Sequence, residues 1–253
     1  MVLLVDKKSE DYFQALKKKY ADLPHIHFIE ERFDIYLTGS KALKAVSFSD
    51  GQLKSNYACE SYIINDPHEY PVVCLSIDQN DFDYLVRHWD NKELIYPAYI
   101  EIFENDSNYA GYCGVTLQGN TGRRYNRKNF EIKFDGEFGS KNMNYALFEE
   151  VNSSSFDSFV LRGGSNASFY VPWKDEFATE SAKDLLEVRN YKPCIYYVNG
   201  EYMGLYYIRE KICAEMISNH YNVDKERVSI ARWKGLLEEG PDVWNPIIEW
   251  TEA

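Results

Sequence analysis

Residues 196–208 read YYVNGEYMGLYYI, and the charged triplet Arg-Glu-Lys follows at positions 209–211. Aromatic and β-branched residues flank Asn199-Gly200, and Asn-Gly is the pair best suited to a type I′ turn, in which both central residues need positive φ. The stretch therefore predicts a β-hairpin. A helix is expected to follow from Arg209 to His220, so that Glu210 would lie at the start of a helix.

Short apolar runs separated by turn residues continue through the chain after residue 70. The strands that these runs predict are 71–77, 98–103, 109–117, 129–134 and 159–162. Helices are predicted at 81–89 and 173–188, and the second would bury a face made of Ala178, Ala182 and Leu185. We therefore expect the α+β class, with a mixed, mainly antiparallel sheet into which helices are inserted.

The chain divides into three predicted parts. Residues 1–25 are expected to form an N-terminal helical segment, because apolar residues between Glu10 and Tyr20 recur at helical spacing. Residues 26–66 are expected to form part of a β-sandwich. The strands predicted within this second part are 33–37, 42–48 and 57–64. Residues 67–253 are expected to form the main domain.

Composition excludes some classes of function. The 253 residues carry a formal net charge of −12, which argues against a nucleic-acid-binding surface, because such surfaces need concentrated Lys and Arg. No run approaches the ~20 apolar residues of a membrane span, and no secretory signal peptide is visible. Five cysteines without metal-ligand spacing predict free, buried thiols. The 21 tyrosines suit β-rich architecture and also carbohydrate stacking.

The segment from Gly119 to Lys128 has the composition of an anion-binding loop. Its two glycines, Gly119 and Gly122, let backbone N–H groups turn toward an anion. The segment also concentrates positive charge in an acidic chain, through Arg123, Arg124, Arg127 and Lys128. Spacing alone leaves two interpretations open, a phosphate-binding loop and a hairpin turn with a solvated basic rim.

Three further residues are candidates for the same site. Arg162 ends a predicted strand just before Gly163-Gly164. Asp175 lies in the first turn of a predicted helix, where a carboxylate complements the helix dipole. Glu210 would begin a helix and pair with Lys128, as the Lys–Glu pair of a kinase positions nucleotide phosphates. Helix capping or a structural salt bridge would also explain either carboxylate.

Together these segments resemble the spore coat protein H (CotH) kinase family, atypical protein kinases of spore coats and secreted bacterial proteins. The family's Gly-Asn-Ser-Ser-Arg turn and Lys-Lys pair are similar to Gly-Asn-Thr-Gly-Arg at 119–123 and Arg-Lys at 127–128. Its Leu-Arg strand end matches Leu161-Arg162, its helix-start Asp matches Asp175, and its Arg-Glu after a hairpin matches Arg209-Glu210. The resemblance extends over roughly residues 70 to 245.

The resemblance implies a nucleotide site and phosphoryl transfer. Arg123 and Lys128 would contact the phosphates of ATP, Glu210 would orient Lys128, and Arg162 and Asp175 would support the site. Mg²⁺ would be the second cofactor. The implied partner is a protein substrate with Ser or Thr acceptors, or a spore coat or cell-surface protein, outside the cell or on the spore.

The resemblance also has a second part and two departures. Residues 33–65 resemble the C-terminal half of the chitobiase-type Ig-like module that often precedes the kinase domain. Cys213 stands where family members usually carry an acidic residue. After Cys213, neither Asp224 nor Asp242 lies in a motif like the family's Trp-Asp-x-Asp metal-binding strand. We therefore expect an incomplete kinase domain, with its Mg²⁺ ligands beyond residue 253, that binds ATP weakly and does not transfer phosphate alone.

Two other interpretations stay open at this point. The Tyr-rich strands and the partial Ig-like module also suit a non-enzymatic extracellular or surface module that binds carbohydrate or coat proteins. The last interpretation is a gene-model fragment with no independent function.

Overall fold

The structure is a computed structural model that describes residues 2–5, 18, 27–29, 37–49, 52–53, 58–104, 107–151, 153–232 and 235–238. Most of the helix predicted between Glu10 and Tyr20, and all but the last residue of the strand predicted at 33–37, lie outside the described residues. Lys18 is helical and exposed. Among the described residues, no helix combines the length and the apolar character that crossing a membrane requires.

Strands dominate the described part of the chain. In chain order they are β1 (Val2–Val5), β2 (His27–Ile29), β3 (Lys41–Ser49), β4 (Gln52–Leu53), β5 (Ala58–Tyr62), β6 (Val72–Ile77), β7 (Tyr96–Phe103), β8 (Asn108–Leu117), β9 (Phe130–Lys133), β10 (Met143–Asn144), β11 (Ser155–Phe156), β12 (Ser158–Arg162), β13 (Tyr191–Val198), β14 (Glu201–Arg209), β15 (Ile230–Arg232) and β16 (Gly235–Glu238). The α-helices within the described residues are α1 (Gln79–Arg87), α2 (Lys174–Ala182) and α3 (Ala214–Tyr221).

Seven of these strands form a closed barrel in the order β12-β14-β13-β6-β7-β8-β9, and β9 pairs with β12 to close it. The β6–β13 pair is parallel, whereas β8–β9, β9–β12 and β12–β14 are antiparallel. The sheet is therefore mixed, and the expected α+β class is confirmed at that level.

The register of β9, β12 and β14 separates apolar from charged side chains. Residues that face each other across paired strands point to the same face. Phe130 lies opposite Leu161, which lies opposite Ile208, and all three are at most 1% exposed in the barrel core. On the other face, Glu131 lies opposite Val160, which lies opposite Arg209. The charged side chains of Glu131 and Arg209 thus lie on the outer face, with Val160 between them.

The chain falls into two compact units, and several barrel strands contribute residues to both. The first unit is made of residues 1–77, 99–110 and 195–204. Its sheet places β1 parallel to both β2 and β3, while β4 and β5 pair antiparallel with β3. The predicted hairpin turn is confirmed here, because φ is 51° at Asn199 and 83° at Gly200. The side-chain oxygen of Asn199 also accepts a hydrogen bond from the Ile77 N–H at 2.9 Å.

The second unit is made of residues 78–98, 111–194 and 205–253 and contains the three α-helices. Helix α2 ends at Ala182, so the predicted helix over 173–188 is too long. Its predicted buried face is also wrong, because Leu185 is 84% exposed. The buried side chain of α2 is Glu176, which faces a cation on β14.

The helix predicted to start at Arg209 begins only at Ala214. Arg209 instead ends β14 and pairs with Val160 of β12. Pairing with β12 extends the strand to the charged triplet, so Glu210 follows a strand and does not begin a helix. The five cysteines carry free thiols, as predicted, and all but the half-buried Cys59 are buried.

Candidate anion-binding site

Arg123 and Lys128 are buried cations between β8 and β9. Arg123 lies in the 3-10 turn Thr121–Arg124 and is 2% exposed, and Lys128 precedes β9 and is 6% exposed. The Arg123 guanidinium donates to the Asn91 carbonyl at 3.1 Å, and Lys128 Nζ donates to the Arg123 carbonyl at 2.5 Å. Of the ion pairs between described residues, none includes Arg123 or Lys128.

The protonation equilibria of both residues reflect this environment. Burial lowers the pKa of Arg123, against the opposing charge of Asp90. Burial also lowers the pKa of Lys128, and the neighbouring charge of Arg123 lowers it further. Both effects disfavour the charged form of a base, and a nearby anion would reverse them. The pair is therefore electrostatically prepared for a negative ligand.

Two glycine-containing turns pack against each other beside these cations. A Cβ atom on Gly122 would lie 3.1 Å from Ser165 Oγ. A Cβ atom on Gly163 would lie 2.8 Å from the Lys128 carbonyl and 2.7 Å from the Tyr206 ring. The Gly163 N–H donates to the Asn129 side chain at 2.9 Å. The turn that starts at Gly163 is thereby held against the residues that lead into β9.

A second charged cluster lies on the outer face of β12 and β14, under α2. Arg162 contacts the Asp175 carboxylate at 2.5 Å, and Arg209 lies 3.7 Å from Asp175 and 3.4 Å from Glu176. Arg209 also donates to Thr179 Oγ1 at 2.8 Å. Arg209 and Glu176 are 2% and 4% exposed. These contacts attach the first turn of α2 to two barrel strands, so this cluster stabilises the fold.

Glu210 belongs to a third group of residues, and its expected pairing with Lys128 is wrong. Its carboxylate accepts hydrogen bonds from the Asn190 N–H at 2.8 Å and from the Asn190 side chain at 3.0 Å. It also lies 2.8 Å from Nε2 of His220, whose Nδ1 contacts Glu187. A backbone hydrogen bond from the Glu210 N–H to the Asn190 carbonyl holds Glu210 at this position. Lys128 bonds a carbonyl instead.

The structure thus separates the five residues that the sequence assigned to one site. Arg123 and Lys128 lie together, Arg162 and Asp175 form an ion pair, and Glu210 bonds His220. Sequence reasoning missed Glu176 and His220 as partners of the charged triplet. The signal that could have found Glu176 is its position beside Asp175 in the first turn of a helix.

A cleft of about 80 Å³ opens beside Gly163. Its lining residues are Arg127, Arg162, Gly163, Pro172, Trp173, Leu205 and Tyr207. The guanidinium of Arg127 donates to the Leu205 carbonyl and lies 5.0 Å from the centre of the Tyr206 ring. Mostly apolar walls with two aromatic rings suit a planar ligand group.

One group of side chains has metal-ligand geometry among the described residues. Ligand atoms of Asp157, Cys213 and Glu215 all lie within 4.8 Å of one another. Burial raises the pKa of Cys213 to about 11, and burial and Asp157 raise that of Glu215. A thiol does not suit Mg²⁺, which prefers oxygen ligands in near-octahedral geometry. The set therefore does not fit the magnesium site of a kinase, and we assign no reaction step to it.

Comparison with known proteins agrees with the resemblance found in the sequence. The family model for the CotH kinase protein matches residues 115–245, just over half of the chain. The matched range contains Arg123, Lys128 and all the clusters described above. No curated protein matches the chain. The chain belongs to the CotH kinase protein family.

Proposed function

We propose that this member of the CotH kinase protein family binds ATP through Arg123 and Lys128 and transfers its terminal phosphoryl group to Ser or Thr of a protein, which goes beyond the weak binding without transfer that the departures in its sequence predict. The observation that carries the proposal is the pair of buried cations whose hydrogen bonds go to neutral carbonyls. Among the described residues neither cation forms an ion pair, although the charge of Asp90 acts on Arg123. Burying a cation without an ion-pair partner costs free energy, and binding a polyphosphate offsets that cost. An ordinary structural salt bridge would place a carboxylate there.

The chemistry of phosphoryl transfer suits such a pair. Kinases catalyse this reaction mainly by positioning the phosphates and stabilising their charge. Lys128 Nζ supplies a compact charge, while Arg123 supplies a planar group that suits phosphate oxygens. ATP, when bound, supplies the phosphoryl group. The acceptor that we propose is a coat or secreted protein.

The other candidate residues have supporting roles in this proposal. Arg162 lines the cleft beside Gly163, and Asp175 holds it there at 2.5 Å. The aromatic walls at Trp173 and Tyr207 are the place that we propose for the base of the nucleotide. Glu210 orients His220 and Asn190 and does not act on Lys128.

The test is titration of the protein with ATP, with and without Mg²⁺, by calorimetry. Arg123→Ala and Lys128→Ala each should weaken ATP binding about tenfold or more, because each removes a charge-assisted hydrogen bond. Two matched controls remove the same charge nearby. Arg124→Ala changes the exposed neighbour of Arg123, and Lys133→Ala changes a half-exposed lysine on β9. Both controls should bind ATP within about twofold of the unchanged protein.

Two results would overturn the proposal. The first is that the protein does not bind ATP at millimolar concentration. The second is that the two control variants weaken ATP binding as much as the two site variants do. Transfer is measured separately, with γ-labelled ATP and dephosphorylated casein as the acceptor. Label that Lys128→Ala abolishes and Lys133→Ala retains supports phosphoryl transfer.

A second candidate function rests on exposed aromatic side chains. Phe169, Tyr170, Trp173 and Phe177 are 54–87% exposed within nine residues of chain. Rings displayed in this way suit stacking against sugar rings, and so favour a carbohydrate-binding surface module. Glycan binding that survives in the Arg123→Ala, Lys128→Ala double variant and is lost in Trp173→Ala supports this function.

A further inference from the structure

We infer that the Ser165 hydroxyl is a third ligand of the anion that Arg123 and Lys128 bind, a phosphoryl group of ATP. This inference rests on the proposed function and deepens it. Ser165 is 2% exposed, and its Oγ has no hydrogen-bond partner in the structure. A buried hydroxyl without a partner costs free energy, and native proteins rarely keep one without a reason.

The backbone of Ser165 gives a second, independent observation. Its φ is 45°, in the left-handed region that non-glycine residues seldom adopt, and it follows Gly164, whose φ is 92°. Residues held in such conformations cluster at ligand-binding sites, where the surrounding structure fixes a side chain for a task. The same serine therefore has an uncommon backbone conformation and a buried hydroxyl, and no hydrogen bond of that hydroxyl offsets either cost.

Ser165 lies beside the turn that carries Arg123. Its Oγ lies 3.1 Å from the point where a Cβ atom on Gly122 would be, so the missing side chain leaves space beside the hydroxyl. Arg123 is the next residue after Gly122, and its Nε is also buried without a partner. Lys128 Nζ bonds the carbonyl of Arg123. The same short turn thus lies against Ser165 at Gly122 and accepts a hydrogen bond from Lys128 at the Arg123 carbonyl, while Ser165 Oγ and Arg123 Nε have no hydrogen-bond partner.

Other roles for Ser165 do not fit its surroundings. A hydroxyl that is 2% exposed is not accessible for modification. A hydroxyl that stabilised its own turn would bond a neighbouring backbone group. In this turn Ser168 has that role, because its Oγ donates to the Ser165 carbonyl at 2.5 Å. Donation to a bound phosphoryl oxygen accounts for both the burial and the missing partner.

The first test is Ser165→Ala, in which ligand binding and stability are expected to change in opposite directions. ATP affinity should fall about tenfold or more, since a hydrogen bond to a charged group is lost. Without ATP the melting temperature should stay the same or rise, because the variant no longer buries an unpaired hydroxyl. Ser76→Ala, which changes another fully buried serine, should leave ATP affinity unchanged.

The second test is Gly122→Ala, which places a methyl group beside the hydroxyl without removing a polar atom. ATP affinity should fall at least fivefold, whereas Gly136→Ala, where a Cβ atom would only reach ordinary contact with Lys141 at 4.0 Å, should have no effect.

The outcomes separate this inference from the proposed function. If Lys128→Ala loses ATP binding and both Ser165→Ala and Gly122→Ala retain it, the inference is wrong and the proposed function stands. If Ser165→Ala lowers the melting temperature without ATP and binds ATP normally, Ser165 is structural. If the unchanged protein does not bind ATP, both are wrong.

Discussion

Two pairs of cations in this protein differ in the partners that surround them. One pair, Arg123 and Lys128, lies beside β9, and the other, Arg162 and Arg209, lies on the outer face of the barrel. The first pair bonds only to backbone carbonyls. The second pair contacts Asp175 and Glu176. A buried cation that has a carboxylate partner is already neutralised within the fold, whereas one without such a partner keeps its charge for a ligand. The identity of the partner therefore separates a structural cation from a binding one.

The largest effect is expected for Arg209→Met. The change should lower the free energy of unfolding by about 3–5 kcal/mol, because it leaves the buried Glu176 carboxylate without its main partner. Urea unfolding measures the loss. Lys183→Met is the control, since the Lys183–Glu180 pair is about half exposed and screened by solvent, so its loss should be much smaller. Equal losses of stability in the two variants would contradict the structural role of the Arg209–Glu176 ion pair.

Lys128→Met should have the opposite pattern. It should bind ATP about 10- to 100-fold more weakly, yet its free energy of unfolding without ATP should be unchanged or higher, because a desolvated charge is removed. The same urea series and an ATP titration measure both quantities. A stability loss as large as that of Arg209→Met would show that Lys128 has a structural role.

His220→Gln should give a stability loss that depends on pH. Burial lowers the pKa of His220, but Glu187 and Glu210 outweigh burial, so its pKa in the folded state is raised. A raised pKa of a base stabilises the fold fully below the unfolded value of 6.5, and this contribution is lost as pH rises through the folded value.

We therefore expect a deficit of about 1–3 kcal/mol at pH 6 that shrinks toward pH 9. Unfolding is measured from pH 6 upward. Below this range Glu210, whose pKa burial raises, begins to take up protons itself and relieves the loss. The charged and polar groups that face His220 are Glu187, Glu210 and Asn190. A deficit that is the same at pH 6 and pH 9 contradicts an imidazolium between two carboxylates.

The smallest effect is expected for Asp175→Asn. Its side chain is 34% exposed, so solvent screens its attraction to Arg162, and the loss of stability should be about 1 kcal/mol. Glu176→Gln, at a side chain that is 5% exposed, should cost more in the same urea experiment. If Asp175→Asn lowers the free energy of unfolding more than Glu176→Gln does, the degree of burial does not determine how much each carboxylate stabilises the fold.

Local features of the fold were predictable from the sequence. Asn199-Gly200 is followed and preceded by strand residues, and both central residues adopt the positive φ that the pair favours. The strands at 72–77 and 108–117 also lie where the apolar runs predicted them. By contrast, the apolar pattern of 173–188 gave the wrong buried face, because an ion pair from Glu176 to Arg209 decides which side of α2 faces the barrel.

The residues of the anion site were predictable by type and not by arrangement. Glycines and basic residues at 119–128 pointed to Arg123 and Lys128, but spacing does not show whether a cation is buried or solvated. The Lys128–Glu210 pair failed because Glu210 bonds a residue 20 positions earlier, in a contact that no local pattern encodes. The sequence analysis missed Ser165 for the same reason, since the burial of its hydroxyl and the lack of a hydrogen-bond partner depend on residues distant along the chain. The boundary between residues 66 and 67 and the Ig-like module stay predictions.

By itself the sequence determined several barrel strands, such as those at 72–77 and 108–117, the Asn-Gly turn, the family resemblance and the set of basic residues in one loop, because these depend on short-range backbone preferences and on residue chemistry. It did not predict strand β1, which lies in the segment expected to be helical. Tertiary structure alone decided which cations are buried, which carboxylates neutralise them and which buried hydroxyls, Ser165 among them, have no hydrogen-bond partner. The physical reason is that desolvation and ion pairing act between groups distant along the chain, and their free energies depend on contacts that only the closed barrel creates.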